Sequence, residues 1–433
     1  MLKQILAGVM IGVLGFAAIG GDAQAKLSHE LKAAAGEVDI TPTGTAFIAG
    51  YGSNRKSIDA HDKLKAKCLI LESGGVRIAI VSCDLIGVPR YQVEKIRALV
   101  KSVKPENIMI AATHTHSGPD TVGQWGASFN VSGVDQEWMT EFRQKTAALI
   151  DETYKKISPA KIRFAESELV PRVSKNIRIP SVLDTTLSLM QVVSKSKGKP
   201  ISTLVNYACH PEILNTRRIT ADFPHWLYET VEGGGGGVCL YLNGAQGGMI
   251  TADFDESTTP KGENWQAAET IGTALGKRVL ELISTSEFQE EAKIIVQRSV
   301  FFVPLENANF KALIKLKVFP QDVVKTGIKD GIKTGMIETE VNRIRIGGAE
   351  IFTFPGEVLP NIGLFLRGKM TGSPKFQFGL ADDFLGYILT PEDFNLKLYQ
   401  YESSVSVGAD IEPLMIHKLL GFKSENVFNR SPK

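Results

Sequence analysis

The sequence predicts an α/β fold, with one large domain of mixed β-sheets flanked by helices and functional residues where the strands end. Up to about residue 290, short apolar runs of strand length alternate with longer segments of helical periodicity. Beyond that point the pattern becomes mostly strand. No internal repeat, charge run or low-complexity linker divides the chain, and its 43% hydrophobic and 22% charged residues are typical of a globular protein.

The predicted elements follow one another in a regular order. Strands at residues 67–71 and 76–84 are joined by a glycine turn, and a helix at 91–103 ends before Pro105. The strongest helical patterns have apolar residues every three or four positions, and they cover residues 138–157 and 265–283. Further strands are predicted at residues 108–113, 201–207, 238–242, 292–303, 338–346 and 349–354.

The first 25 residues have the composition of a cleaved secretory signal. Lys3 precedes an apolar run over residues 5–19, and Ala23-Gln24-Ala25 supplies the small-residue pattern that signal peptidase recognises. The alternative to a cleaved signal is a membrane anchor, but the apolar run is short for a segment that spans a bilayer. We therefore expect residues 26–433 to form an exported protein, either periplasmic or secreted, that consists of one catalytic domain.

Charge and cysteine content narrow the classes of partner and cross-link. Lys plus Arg is 49 and Asp plus Glu is 47, for a net charge of +2, so we expect no nucleic acid partner. Cys68, Cys83, Cys209 and Cys239 all lie in apolar, strand-like runs, which favours buried free thiols. Because exported proteins can form disulfides, one disulfide between two of these cysteines is the alternative.

Candidate chemistry is concentrated where apolar strands end. His114 and His116 are two apart, and on an extended chain such side chains point to the same face. Neutral imidazole is both a zinc ligand and an acid–base group, although an isolated pair is equally consistent with solvated loop histidines. His210 and Glu357 follow other strands; alone, His210 would be more typical of a hydrogen-bonded structural residue and Glu357 of an exposed acid in a turn. No compact zinc motif is present, so a metal site would have to assemble from distant segments.

Taken in order, these segments resemble the neutral/alkaline (non-lysosomal) ceramidases, a family of zinc amidases. The Thr113-His114-Thr115-His116-Ser117-Gly118-Pro119 and Pro355-Gly356-Glu357 segments are the most specific. The others are Ala35-Gly36-Glu37-Val38-Asp39-Ile40-Thr41-Pro42, Gly50-Tyr51-Gly52, Val81-Ser82-Cys83-Asp84, His210-Pro211, Ala221-Asp222-Phe223-Pro224, Asn243-Gly244-Ala245-Gln246-Gly247-Gly248 and Gly386-Tyr387-Ile388-Leu389-Thr390.

The resemblance implies one Zn²⁺ per chain, held by His114, His210, Glu357 and Tyr387. Two neutral imidazoles and a carboxylate are a common catalytic zinc set that leaves a position for water. A tyrosine oxygen is an unusual ligand, because its pKa near 10 means that the metal must favour the phenolate.

The resemblance also implies three catalytic residues. His116 matches a histidine that binds the oxyanion and moves protons, and Arg178 is the nearest match to an active-site arginine, with its register shifted by one. Tyr401 matches an active-site tyrosine, and Tyr399 is the competing alignment.

Two departures from the family pattern affect the expected function. Ile250 stands where the family has a catalytic serine, so either Thr251, after a one-residue shift, or water must supply the nucleophile; a zinc site can activate water. The chain also ends 32 positions after Tyr401, and we expect it to lack the C-terminal β-sandwich of larger ceramidases.

The sequence therefore predicts an exported zinc-dependent amide hydrolase that converts N-acylsphingosine to sphingosine and a fatty acid. Its expected partner is a small lipid-like N-acyl substrate, with transient contact with a membrane surface and the oligomeric state left open. The alternatives are a hydrolase of another N-acyl or ester substrate, and an inactive lipid-binding homologue.

Overall fold

The computed structural model describes residues 29–128, 130–255 and 263–422 of the chain. The signal sequence predicted for residues 1–25 lies outside the described residues. Across these three stretches, no helix combines the length and the apolar character that crossing a membrane requires.

The secondary structure is a mixture of strands and helices, as predicted. The strands are β1 (Lys32–Asp39), β2 (Asp59–Ala60), β3 (Lys65–Ser73), β4 (Val76–Cys83), β5 (Ile108–Ala112), β6 (Ser158–Glu168), β7 (Ser174–Asn176), β8 (Thr186–Ser194), β9 (Pro200–Tyr207), β10 (Arg218–Ile219), β11 (Val238–Asn243), β12 (Ile250–Ala252), β13 (Phe288–Gln289), β14 (Ile294–Pro304), β15 (Val324–Lys329), β16 (Ile332–Ile346), β17 (Ala349–Thr353), β18 (Glu357–Val358), β19 (Lys375–Phe378) and β20 (Tyr387–Ile388). The helices are α1 (Arg90–Leu99), α2 (Gln136–Tyr154), α3 (Phe223–Gly233), α4 (Trp265–Ser284), α5 (Ala308–Lys315), α6 (Pro360–Lys369), α7 (Pro391–Phe394), α8 (Gln400–Ser404) and α9 (Ile411–Leu420).

Beyond residue 290 the three predicted strands are present as β14, β16 and β17, but three helices of eight to ten residues that were not predicted, α5, α6 and α9, lie among the strands. Local signals explain two of them. The Asn307 side chain caps α5 by accepting hydrogen bonds from the backbone of Asn309 and Phe310, and Pro360 occupies the first turn of α6. Helix α1 also ends four residues earlier than predicted, because Val100 already has an extended backbone.

The largest sheet folds back on itself. Its strand order is β11-β9-β8-β6-β1-β3-β4-β5, with β13 also paired to β6, and only β9–β11 and β4–β5 are parallel pairs. In the middle of the sheet, β1 and β6 share only two residue pairs. The sheet bends there, so that β11 lies against β3, β4 and β5. This fold-back brings the carboxyl ends of β5 and β9 to one side of the molecule.

A second, five-stranded sheet completes the core. Its order is β14-β16-β17-β19, with β15 added as a hairpin partner of β16, and β19 contacts β9 and β11 of the first sheet. One apolar cluster includes buried residues from both sheets, among them Leu240, Ile351 and Phe376. The predicted class, mixed sheets flanked by helices, is confirmed.

The four cysteines are all buried free thiols, which confirms the favoured interpretation and removes the disulfide alternative.

A buried ionic network fixes the second sheet behind β5. Arg97 of α1, 1% exposed, pairs with Glu340 of β16 and with Asp382, both fully buried. Asp382 also accepts the backbone N–H of Ile110, which lies in β5. Because charges this deeply buried need partners on all sides, the network sets the position of β5 relative to β16.

Candidate metal centre

Three segments that are distant in sequence meet at the strand ends. His114 follows β5, His210 follows β9, and Glu357 begins β18. Asn243, fully buried at the end of β11, links the two histidine segments: its Nδ2 donates to the backbone oxygens of Thr113 (3.1 Å) and Cys209 (2.8 Å). Its Oδ1 accepts the Cys209 N–H at 3.0 Å, so the side chain joins both loops by direct hydrogen bonds.

The imidazole rings are oriented by backbone carbonyls. Nδ1 of His114 donates to the carbonyl of Ile86 (2.6 Å) and Nδ1 of His210 to that of Ile250 (2.8 Å). Both Nε2 atoms then face Oε2 of Glu357, at 3.4 Å and 3.0 Å. In neutral rings these Nε2 atoms are acceptors, and the carboxylate is an acceptor too, so the arrangement is stable only around a positive charge. A metal cation fits that donor set.

The ionisation of His210 and Glu357 is coupled, and a metal bound here would replace the proton on His210. Burial alone would lower the pKa of His210, but the hydrogen bond and charge of Glu357 and the charge of Glu212 raise it to about 9. Burial would raise the pKa of Glu357, yet the charges and hydrogen bonds of His114 and His210 hold it well below its usual range. The site therefore favours a cationic centre next to an ionised carboxylate.

The backbone at His114 is strained. Its φ is +75°, in the left-handed region that residues other than glycine seldom adopt. Such strain is maintained only where surrounding contacts enforce it, here the backbone bond from His114 N to Leu85 O and the ring bond to Ile86. The strained turn directs the ring at Glu357.

Tyr387 lies beside this group because of strand pairing. The two-stranded sheet β18–β20 places Glu357 directly opposite Tyr387. The tyrosine is 5% exposed, and its hydroxyl lies 3.8 Å from Sδ of Met249. Burial, together with the Glu357 carboxylate, raises the pKa of Tyr387 well above its ordinary value, so without a cation its oxygen is a protonated phenol.

His116 enters the same space from the other side. Its ring centroid is 4.9 Å from that of His114 and 5.1 Å from that of Tyr51. Both ring nitrogens are buried without a hydrogen-bond partner among the described residues, and Glu212 Oε2 is 3.6 Å from Nδ1. Ligand atoms of His114, His116 and His210 all lie within 4.8 Å of one another, so His116 is also close enough to serve as a metal ligand.

Desolvation, reinforced by the positive charges of His114 and His210, lowers the pKa of His116 well below its ordinary value. The ring is therefore neutral at physiological pH, with one nitrogen able to accept a proton and the other able to donate one.

The predicted arginine and tyrosine lie at the edge of this group. Arg178 pairs through Nε with the fully buried Glu402 at 2.7 Å and is not among the described residues that line the adjoining cavity. Tyr401 is 52% exposed, lines the cavity and packs 5.9 Å from the Tyr387 ring, whereas Tyr399 is 3% exposed and lies outside the lining. Of the two competing tyrosines, Tyr401 is the one at the site.

Ile250 and Thr251 both lie in β12, which pairs with β7. The Ile250 side chain is fully buried, and its backbone oxygen is the acceptor that orients His210. Thr251, 9% exposed, is not among the described residues that line the cavity.

A cavity of about 470 Å³ opens from these residues and is mostly apolar. His114, His116, Glu357, Tyr387 and Tyr401 are among its polar lining residues, and charged side chains also line it, namely those of Arg90, Glu94, Lys95, Asp322, Lys325, Glu338 and Asp383. Its walls include Ile86, Val122, Phe310, Ile314, Phe319 and Phe384. A mostly apolar pocket that a few convergent polar groups adjoin is typical of a ligand-binding site.

Sequence reasoning missed the apolar wall and two polar neighbours of His116, namely Tyr51 and Glu212. The Tyr51 hydroxyl donates to the Glu212 backbone oxygen at 2.5 Å, which places both beside His116. Phe310 and Ile314 are four residues apart on α5, a spacing that places both on one helix face. That spacing was the available signal for the wall, but nothing in the sequence indicated that the helix faces a cavity.

Comparison with solved structures shows which known fold this arrangement matches. The crystal structure of neutral ceramidase from Pseudomonas aeruginosa aligns with a TM-score of 0.71 at 19% identity, over 90% of this chain and 74% of that one. The chain has the neutral ceramidase fold. A ceramidase complexed with C2 aligns with a TM-score of 0.72 at 18% identity, over 90% of this chain and 75% of that one.

The similarity in sequence to neutral ceramidase is shorter. The chain is 30% identical to the neutral ceramidase of Pseudomonas aeruginosa over 144 residues, which is 31% of this chain and 20% of that protein. No family model matches the chain. The alignments support the resemblance to neutral ceramidase that the sequence motifs indicated.

Proposed function

We propose that the protein is a zinc-dependent amide hydrolase that acts on ceramide or a closely related N-acyl lipid. The observation that carries this proposal is the convergence of the two Nε2 atoms of His114 and His210 on one oxygen of Glu357, beside a mostly apolar cavity. The neutral ceramidase fold and the partial sequence similarity support the choice of reaction.

In this proposal His114, His210, Glu357 and Tyr387 hold one Zn²⁺. When bound, the zinc polarises the amide carbonyl and lowers the pKa of a water molecule towards about 7. The carbonyls of Ile86 and Ile250 keep both imidazoles in the tautomer whose Nε2 is free.

His116 is the residue proposed to move the proton. Because its Nδ1 faces Glu212, Nε2 is the atom that takes up a proton and returns it to the nitrogen of the leaving amine. Its burial and the neighbouring histidines keep it neutral beforehand, as a general base requires.

Tyr401 is better placed than Arg178 to stabilise the oxyanion beside His116. It lines the cavity with its hydroxyl available, whereas the Arg178 guanidinium is held by Glu402. A single donor of this kind commonly contributes about 2.7–4 kcal/mol to stabilising the transition state. Arg178 then acts indirectly, by pairing with Glu402, the residue that follows Tyr401.

The apolar walls favour a lipid acyl chain over a polar amide. Each methylene that leaves water for such a wall contributes about 0.8 kcal/mol. The polar residues of the site then hold the amide close to His116 and Tyr401. We also propose that the protein is exported, on the signal-like composition of residues 1–25.

A second candidate function is lipid binding without turnover. It is favoured by Ile250, a fully buried side chain at the position where the resembled family has a catalytic serine. Another N-acyl or ester substrate stays possible for the same reason.

The test is metal analysis of the purified protein combined with turnover of fluorescent N-acyl and ester lipids. We expect about one zinc per chain and amide hydrolysis, and we expect His114→Ala to lose both. His417→Ala, at an exposed histidine in α9, is the matched control and should behave as wild type. Bound zinc without turnover of any amide or ester would favour lipid binding, and unchanged turnover in His114→Ala would refute the site.

A further inference from the structure

Residues 308–336 form one wall of the cavity and also part of the protein surface. We name this stretch, which comprises α5, the loop after it, β15 and the first residues of β16, the wall segment. Phe310, Ile314, Phe319 and Val323 face the cavity. The outer side of the same segment is therefore only one layer of residues away from the candidate substrate.

The outer side combines exposed lysines with exposed apolar side chains. The wall segment contains six lysines against two aspartates, while the whole chain carries only +2. Leu316, Ile328 and Ile332 are 53%, 68% and 70% exposed, and the last two flank the tip of the β15–β16 hairpin. Lys329 pairs with Glu306 and Asp410, which neutralise its charge.

We infer that the wall segment docks the protein on an anionic lipid surface, with the hairpin tip entering the interface and the lysines contacting lipid phosphates. Basic side chains interspersed with exposed aliphatic ones are the combination that binds such surfaces. Charge complementarity favours this partner, because the wall segment carries a net charge of +4, from six lysines and two aspartates, beside its exposed aliphatic side chains.

Docking there would hold the cavity close to a substrate in the bilayer, and to that extent the inference rests on the proposed function. An N-acyl lipid that left a bilayer through water would expose its acyl chain, at a cost that rises with every methylene. With the wall segment on the membrane, Phe310 and Ile314 lie close to the bilayer, so the acyl chain crosses less water on its way to the cavity. Lys325, which lines the cavity and is exposed, lies on the route.

The experiment is co-sedimentation of the full protein with vesicles of phosphatidylcholine alone or with phosphatidylglycerol added, in the presence of a chelator. Chelation removes metal, so binding is measured independently of turnover. We expect binding to the anionic vesicles only, weakening as salt rises from 0.1 to 0.5 M because the Debye length shortens.

Two variants test the electrostatic and the apolar contributions to vesicle binding. Neutralising Lys311, Lys315 and Lys317 to Gln should weaken binding by about 100-fold, at roughly fivefold per lysine. Ile328→Ser with Ile332→Ser should weaken it by about tenfold or more. The control changes Lys101, Lys104 and Lys156 to Gln, three exposed lysines outside the cavity lining, and should leave binding unchanged.

Equal binding to both vesicle types, or equal loss in the test and control lysine variants, would overturn the inference. So would dimerisation in solution that the Lys311, Lys315 and Lys317 variant abolishes, since a second copy would then cover this face. If no N-acyl lipid is hydrolysed but anionic vesicles are still bound through the wall segment, the proposed function fails and the docking surface stands.

Discussion

Asn243 is the side chain on which the candidate site most depends without contacting substrate, and we predict that Asn243→Ala destabilises the protein and loses the metal. Its amide joins the segments that carry His114 and His210 through three hydrogen bonds, at 2.8–3.1 Å. The side chain is fully buried, so water does not compete with these bonds in the folded state.

The expected loss of stability follows from the backbone groups that lose their hydrogen-bond partner. The Cys209 oxygen also accepts the Tyr241 hydroxyl and stays bonded, but Cys209 N and Thr113 O lose the partner that the structure gives them. Each buried polar group left unsatisfied costs about 1–3 kcal/mol, so the loss is about 2–6 kcal/mol. Against a total stability of about 5–15 kcal/mol for a typical protein, this change is large.

The assay is urea unfolding of the metal-free protein, followed by zinc titration. Asn243→Ala should shift the unfolding midpoint by the amount above and weaken zinc binding, because the two histidine loops are no longer joined. Asn395→Ala, which removes an exposed amide bonded only to Pro391 O, should change stability by less than about 0.5 kcal/mol. Equal, small shifts in both variants would refute the reasoning, as would unchanged zinc affinity in Asn243→Ala.

Two further predictions concern backbone packing and pH. Gly50→Ala places a methyl group 2.4 Å from Cγ of His116 at a φ of +99°, so we expect turnover to fall by about 100-fold. Gly52→Ala is the control, because a methyl group there meets nothing within 4 Å and turnover should be retained. Comparable rates in the two variants would contradict the placement of His116. Burial raises the pKa of Asp84 from 3.8 to about 7, although Tyr228 donates to it, so its contribution to stability is present below about pH 4 and is lost as pH rises through 7. Urea midpoints between pH 4 and 8 should therefore depend less on pH in Asp84→Asn than in the wild type, and parallel curves would rule out this role.

Much of the fold was predictable because burial leaves a regular pattern in the sequence. Helix α4 was predicted to within one residue at residues 265–283, since its apolar positions recur with helical spacing. Helices α5, α6 and α9 escaped prediction because each is only eight to ten residues long, where periodicity is weak and caps give most of the signal.

The sequence likewise predicted only part of the candidate site. By itself the sequence determined the residue types and their order: two histidines and a glutamate at strand ends, and motifs that resemble neutral ceramidase. It could not decide between Tyr399 and Tyr401, because two residues of one short helical segment differ only in the side to which they point. The assignment of zinc ligands stays a prediction.

Only the tertiary structure decided which groups share one space. The bend between β1 and β6 brings β5 and β9 together, the β18–β20 pairing sets Glu357 opposite Tyr387, and the wall segment closes the cavity. These contacts join residues far apart in the chain, and a linear pattern records only neighbours along it. Local periodicity determines which face of an element is buried, whereas packing between elements determines what that face meets.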